Sequence, residues 1–280
     1  MRILFATDGS PGAVEAGEFL ACLPLTAEDT VILLAVSSQA SPGGADGDLT
    51  RSRKALSGSA ARLEEERRTG APAEQILLAA RERAADLIVL GAMGVGGVAR
   101  FFIGSVAERV LRHAEAPVLV ARPVRHGLRR AVVGVDTSEA SVELVQTAAR
   151  FPLPPETELG LVTILPSRET AYGVAPMVWT SLSGDLDALL KLSEADIAKR
   201  LRALAEVATA QGRQVTAEFL RGEPEACLVS TADSEKADLI VLGSYTGKSV
   251  NVLLGAVSER VARHAHCSVL VIRWGGGESS

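Results

Sequence analysis

Ala85-Asp86-Leu87-Ile88-Val89-Leu90-Gly91 returns almost letter for letter as Ala237-Asp238-Leu239-Ile240-Val241-Leu242-Gly243. An apolar run without polar alternation is what a strand buried on both faces shows, and the glycine after it marks a turn. Downstream of the first copy, Val106-Ala107-Glu108-Arg109-Val110-Leu111-Arg112-His113-Ala114 leads to Val118-Leu119-Val120. Downstream of the second, Val257-Ser258-Glu259-Arg260-Val261-Ala262-Arg263-His264-Ala265 leads to Ser268-Val269-Leu270-Val271-Ile272. Upstream, Arg2-Ile3-Leu4-Phe5-Ala6-Thr7-Asp8-Gly9-Ser10 pairs with Ala131-Val132-Val133-Gly134-Val135-Asp136-Thr137-Ser138, each an apolar run stopped by an acid and turn formers. Self-similarity at this scale makes the chain a tandem repeat of one supersecondary unit. The joint is the basic, Pro- and Gly-containing stretch Arg122-Pro123-Val124-Arg125-His126-Gly127, which gives domains over 1–123 and 128–274.

Strand-like and helix-like segments alternate between these anchors, so the expected fold is α/β, with a five-stranded parallel sheet flanked by helices in each domain. Val31-Ile32-Leu33-Leu34-Ala35-Val36 is another continuous apolar strand, and the second domain has strands expected near 131–136, 159–164, 215–220, 238–243 and 268–273. The stretch from Leu186 to Gln211 carries Leu190, Ile197, Leu201 and Leu204 on one side, as an amphipathic helix does. Ala61-Arg62-Leu63-Glu64-Glu65-Glu66-Arg67-Arg68 is charged enough to be an exposed helix, but its place before Gly70-Ala71-Pro72 matches the strand before Gly222-Glu223-Pro224. An edge strand is the favoured reading, leaving a short helix within 46–59. An exposed apolar edge would invite aggregation, so the two last strands, 118–121 and 268–273, are expected to pack on each other about a pseudo-twofold axis.

Composition limits the function classes. With 280 residues, 47% hydrophobic and 22% charged, the chain can bury two cores. A net charge of −5 and an aromatic content of 4% argue against nucleic acid as a partner. The first apolar stretch is closed early by Asp8 and no apolar run approaches the ~18 residues that span a bilayer, so a cytoplasmic protein without membrane contact is expected. Cys22, Cys227 and Cys267 have no metal-ligand or redox spacing and are expected as small buried residues. His113 and His264 sit at matching positions near a helix C-terminus, where partial positive charge is favourable, and no metal site is expected.

The chemistry lies after the first copy of the repeated strand. Gly91-Ala92-Met93-Gly94 is followed by nine residues and then Gly104-Ser105 opening a helix. Glycines let backbone N–H groups approach an anion, and the helix start adds free N–H groups and the positive dipole end. The position, at the carboxyl end of a parallel strand, is where open α/β sheets bind ligands.

Here the chain resembles the ATP-binding branch of the universal stress protein family, whose spacing of Gly, two residues, Gly, nine residues, Gly and Ser or Thr is met by Gly91, Gly94, Gly104 and Ser105. The resemblance covers nearly the whole chain as two tandem domains and implies a Rossmann-like fold of the adenine nucleotide α-hydrolase type. It implies that Asp8, reached through Ala6 and Thr7, bonds the ribose, and that the Val36 main chain reads the adenine edge. Gly91 would then meet the ribose, while Met93, Gly94, Gly104, Ser105 and Val106 would surround the phosphates of ATP with Mg²⁺. Val95 stands where the family often has a basic residue, which leaves charge neutralisation to Mg²⁺, the helix end and Arg100.

Three functions remain open at this level. The leading one is a nucleotide-binding stress-response or signalling module with no catalytic residues, acting through an unknown protein partner and able to form a homodimer. The second is a slow ATP-hydrolysing or nucleotide α-hydrolase-type enzyme, for which Asp8-Gly9-Ser10-Pro11-Gly12 is a poor phosphate loop; the third is a scaffold that binds nothing. The second domain keeps Asp136 and Gly243 but has Thr246 for Gly94, Ala256 for Ser105 and an interval shorter by one residue. These losses amount to roughly 3 kcal/mol, or about a hundredfold in affinity, unless Gly247 takes over from Gly94 and brings Lys248 to the phosphates. Gly243-Ser244-Tyr245-Thr246-Gly247-Lys248-Ser249 looks like a P-loop, yet places three residues between its glycines where that motif needs four.

Overall fold

The computed structural model describes residues 1–37, 45–93, 103–124, 127–136, 138–165, 194–246 and 255–275, with only the backbone described for 45–48, 245–246 and 274–275. The first half runs β1 (Arg2–Thr7), α1 (Pro11–Ala21), β2 (Thr30–Ser37), α2 (Ala45–Ala55), β3 (Arg62–Thr69), α3 (Pro72–Glu82), β4 (Leu87–Gly91), α4 (Ser105–His113) and β5 (Val118–Ala121). The second runs β6 (Arg130–Val135), α5 (Ala140–Arg150), β7 (Glu158–Leu165), α6 (Glu194–Thr209), β8 (Val215–Arg221), α7 (Pro224–Ser234), β9 (Leu239–Thr246), α8 (Ala256–His264) and β10 (Ser268–Gly275). Proline opens α1, α3 and α7, where its missing N–H has no intrahelical partner to lose. Of the expected amphipathic residues, Ile197, Leu201 and Leu204 are buried beneath α6, whereas Leu190 lies outside the described residues.

All strands join one ten-stranded sheet in the order β3-β2-β1-β4-β5-β10-β9-β6-β7-β8. Neighbours within each half are parallel, and the halves meet through the antiparallel pair β5 and β10, with Val120 opposite Val269 and Val118 opposite Val271. One face buries Ile3, Phe5, Val133 and Leu270 with residues of α1, α2, α5 and α6; the other buries Leu4, Ile88, Val120 and Val271 with residues of α3, α4, α7 and α8. The charged segment is indeed an edge strand. Its acids are held by arginines: Arg53 of α2 pairs with Glu65, Arg83 after α3 with Glu64, and Arg68 of the strand itself with Glu66 and with Glu82 of α3.

The repeated Ala-Asp pair has a structural role in both halves. Asp86 accepts from Arg2 N at 2.6 Å while its own N–H donates to Arg2 O at 2.8 Å, which locks the start of β4 to the start of β1. Asp238 does the same for β9 and β6, accepting from Arg129 N at 2.8 Å and Arg130 N at 3.1 Å. The residue two positions before each acid, Ala84 or Lys236, sits at positive φ, 46° and 53°, where helix α3 or α7 ends.

Where the halves meet, two related arginines cross over. Arg122 donates to Ala262 O at the end of α8 at 2.8 Å and to Cys267 O at 3.2 Å, and Arg273 donates to Leu111 O at the end of α4. Each cation therefore caps the C-terminal carbonyls of the other half's helix, the end where positive charge is favourable. Burial lowers both guanidinium pKa values, that of Arg273 to about 10. A ring of Glu108, Arg112, Glu259 and Arg263 ties α4 to α8, with Arg112 to Glu259 at 2.7 Å and Arg263 to Glu108 at 3.0 Å.

Two expectations need correction. The cysteines are partly rather than fully buried, at the margins of the packed elements, although burial still raises all three thiol pKa values, Cys267 to about 12. β9 and β10 also run beyond residue 243 and residue 273, pairing as far as Tyr245 opposite Trp274 and Thr246 opposite Gly275.

Candidate functional site

The chain leaves β1 outward to β2 and β3, then returns to place β4 on the other side of β1. That reversal opens a crevice beyond the carboxyl ends of β1 and β4, the ligand position of open α/β sheets. Asp8 stands exposed on the turn after β1, and its Oδ1 accepts from Ser10 N at 3.0 Å. Gly9, at φ 63°, makes the turn, and its N–H donates to Thr7 Oγ1 at 3.1 Å. Ser10 then caps α1, accepting from Ala13 N at 3.2 Å while its hydroxyl donates to Met93 O at 3.4 Å. The acid-bearing turn is thus fastened to the end of β4.

That fastening requires close backbone approach. A Cβ on Gly12 would lie 2.1 Å from Met93 O, and one on Gly91 would lie 2.4 Å from Gly12 O. Gly91, read in the sequence as a ribose contact, therefore also has a packing role. Ala92 N donates to Ala121 O at 3.0 Å, and Gly104 N donates to Ala92 O at 2.7 Å, so the two ends of the glycine loop are joined. Helix α4 starts at once, with Ser105 exposed and Val106 half-buried. Its first intrahelical bond runs from Glu108 N to Gly104 O, so the N–H groups of Ser105, Val106 and Ala107 precede the helical ladder.

Among the other expected site residues, Ala6 is buried in the sheet core and the Thr7 hydroxyl bonds Ser52 Oγ at 2.6 Å, so neither offers a side chain to the crevice. Val36, half-buried, lies one residue past the last β1–β2 pair, Thr7 opposite Ala35, on the wall of the same crevice. Gly94, Val95 and Arg100 lie outside the described residues. The structure also brings in Arg51 of α2, which the sequence reading did not single out: its guanidinium donates to Gly9 O at 2.5 Å, beside Asp8. Only the buried Ser52 at the next position hints at it, as a polar residue held on the core side of a short polar helix. Among the described residues no group of three or more His, Cys, Asp and Glu comes together as a metal site.

The second half repeats the crevice with different contents. Asp136 Oδ1 accepts from Ser138 N at 2.9 Å, Ser138 Oγ at 2.5 Å and Ser141 Oγ at 2.8 Å. Gly243, half-buried, accepts through its carbonyl from Ser258 Oγ at 3.2 Å. Ser244 to Thr246, which align with Ala92 to Gly94, continue β9 instead of leaving it, so Thr246 is a strand residue and escapes the positive φ that a glycine-loop position would impose. The same continuation removes the turn a P-loop would need after Gly243; Gly247 and Lys248 lie outside the described residues.

The sequence profile described as the universal stress protein family matches this chain twice, over residues 1–122 and 127–273. The chain belongs to the universal stress protein family. A universal stress protein from Methanocaldococcus jannaschii is 30% identical over 147 residues, which is 52% of this chain and 82% of that protein. One from Mycobacterium tuberculosis is 32% identical over 195 residues, 68% of this chain, and there the chain spans 62% of its relative's length. The crystal structure of a universal stress protein from Archaeoglobus fulgidus superposes with a TM-score of 0.67 at 22% identity, covering 98% of this chain and 97% of its own, and supports the fold. This tandem universal stress protein is thus an α/β chain whose mostly parallel sheet is flanked by helices. Among the described residues, no helix is long and apolar enough to cross a membrane.

Proposed function

We propose that the first domain of this universal stress protein binds ATP, with Mg²⁺ on its phosphates, as a stress-response or signalling module without efficient turnover. One observation carries the reading: the exposed acid of the β1 turn, the end of β2 at Val36 and the open N-terminus of α4 border one crevice at the sheet's switch point. The donor set fits the ligand. Asp8 accepts hydroxyl protons, as a ribose offers; the Val36 main chain offers an edge to a base; Ser105 and the leading N–H groups of α4 suit an anion. Arg51 adds a fixed positive charge beside Asp8. Bound ATP would supply a triphosphate that spans from the acid-bearing turn to the helix start. The chain's own residues orient it, and a protein partner in the cytoplasm would read the bound state.

Ser105→Glu tests the site without disturbing the fold, because an acid at the first turn of an exposed helix is favourable. It replaces a hydroxyl donor with a negative charge facing the phosphates. The expected result in calorimetric titration is micromolar ATP binding by wild type and a loss of at least about tenfold in the variant, from a hydrogen bond to a charged group of roughly 1.5–3 kcal/mol. Unchanged affinity would remove α4 from the site.

A further inference from the structure

Two buried polar side chains near the seam between the halves lack partners of their own. Arg273 gives one guanidinium nitrogen, Nη2, to Leu111 O at the end of α4, while its Nε and Nη1 have no partner among the described residues. Ser244 Oγ, near the carboxyl end of β9, has none either. Both side chains are more than nine-tenths buried, with Arg273 at 7% exposure and Ser244 at 2%, so bulk water does not serve them. A buried donor without an acceptor is costly, and more so when it carries charge. Among the described residues no acid pairs with Arg273; burial lowers its pKa to about 10, which still leaves it a cation at neutral pH.

The two residues are neighbours. β9 and β10 run parallel with Ser244 opposite Arg273. Each stands two positions beyond a core residue of one sheet face, Leu242 or Val271, so both lie on the face covered by α4 and α8. The start of α8 reaches this end of β9, where Ser258 Oγ donates to Gly243 O at 3.2 Å. The first intrahelical bond of α8 runs from Glu259 N to Gly255 O, so the N–H groups of its first three residues precede the ladder and present the positive dipole end. Glu259, the acid of that turn, is already held by Arg112 at 2.7 Å and Arg263 at 3.3 Å. In the first half the matching residues are Arg122, which gives two nitrogens to Ala262 O and Cys267 O, and Ala92, which has no hydroxyl.

We propose that Arg273 and Ser244 hold a small monovalent inorganic anion such as chloride near the carboxyl ends of β9 and β10. One cation matches one negative charge, whereas a doubly charged group such as phosphate would bring a second, unpaired charge out of water. The anion accepts from the guanidinium and from the Ser244 hydroxyl, which gives both groups an acceptor and neutralises the buried charge. The packing of α4 against α8 then depends on a dissolved ion, through a site separate from the crevice of the first domain and independent of ATP.

Thermal melts of the full chain in sodium chloride and, at the same ionic strength, in sodium gluconate, whose anion is far larger, test it with the variants Arg273→Met and Ser244→Ala. The expected wild-type melting temperature rises with chloride to a plateau above its value in gluconate. Arg273→Met loses that difference, and Ser244→Ala reaches half of it only at about tenfold more chloride. Ser244→Ala gives the second half the alanine that the first half has at this position, so the test stands even if Arg273→Met does not fold. Equal wild-type melting temperatures in the two salts would show that no anion is held. A wild-type chloride response kept by Ser244→Ala, or by folded Arg273→Met, would place the anion elsewhere; either result overturns the proposal.

Discussion

Gly12 and Gly91 meet backbone to backbone, and the contact decides whether the Asp8 turn and the end of β4 share one crevice. A Cβ on Gly91 would come within 2.4 Å of Gly12 O and 2.9 Å of Ala13 N, both main-chain atoms that cannot swing aside. Gly91→Ala should therefore destabilise the chain by roughly 1–3 kcal/mol, the usual cost of overpacking. It should also weaken ATP binding by spreading the crevice walls. Urea unfolding followed in parallel with titration checks both; a variant as stable as wild type would show that the two backbones are not in contact. The sequence made Gly91 legible as a loop glycine but not as a packing glycine, because its neighbour Gly12 lies far away along the chain. Asp8 and Asp136 show the same limit: identical in the repeat, they are followed by Ala13 and Ser141, five positions on, and that Ser141 gives its hydroxyl to Asp136 needs the turn geometry to see.

At the level of elements, most of the architecture could be read from apolar runs and punctuation. β2, β4 and β5 are continuous apolar strands, and Pro72 and Pro224 mark helix starts. β3 was legible only through its place in the repeat, since its composition is that of an exposed helix. Its charges protect an open sheet edge, as natural edge strands do. Glu64 and Glu66 reach Arg83, and Glu66 also reaches Arg68 at 2.5 Å, so the acids fasten the strand while keeping a second chain away. Replacing both by Val should leave a folded chain that assembles through this edge, seen as concentration-dependent light scattering. A double variant that stays the size of wild type at high concentration would show that the charges do not guard the edge. The extension of β9 was not legible: Ser244-Tyr245-Thr246 reads as loop after Gly243 and becomes strand only because β10 continues beside it.

For the whole molecule, the repeat implied two domains and the pairing of their last strands, but not how the seam is sealed. Arg122 and Arg273 look like ordinary basic residues after a strand, yet each is buried and caps a helix of the other half. The chain is therefore one continuous sheet with two crevices at its switch points. Photoaffinity labelling of the full chain with 8-azido-ATP, followed by tryptic mapping, locates the adenine directly. The account predicts label on the peptide Ile3–Arg51, which carries Asp8 and Val36, and its disappearance under excess ATP. Label confined to peptides beyond residue 128, or label that excess ATP fails to remove, would contradict it.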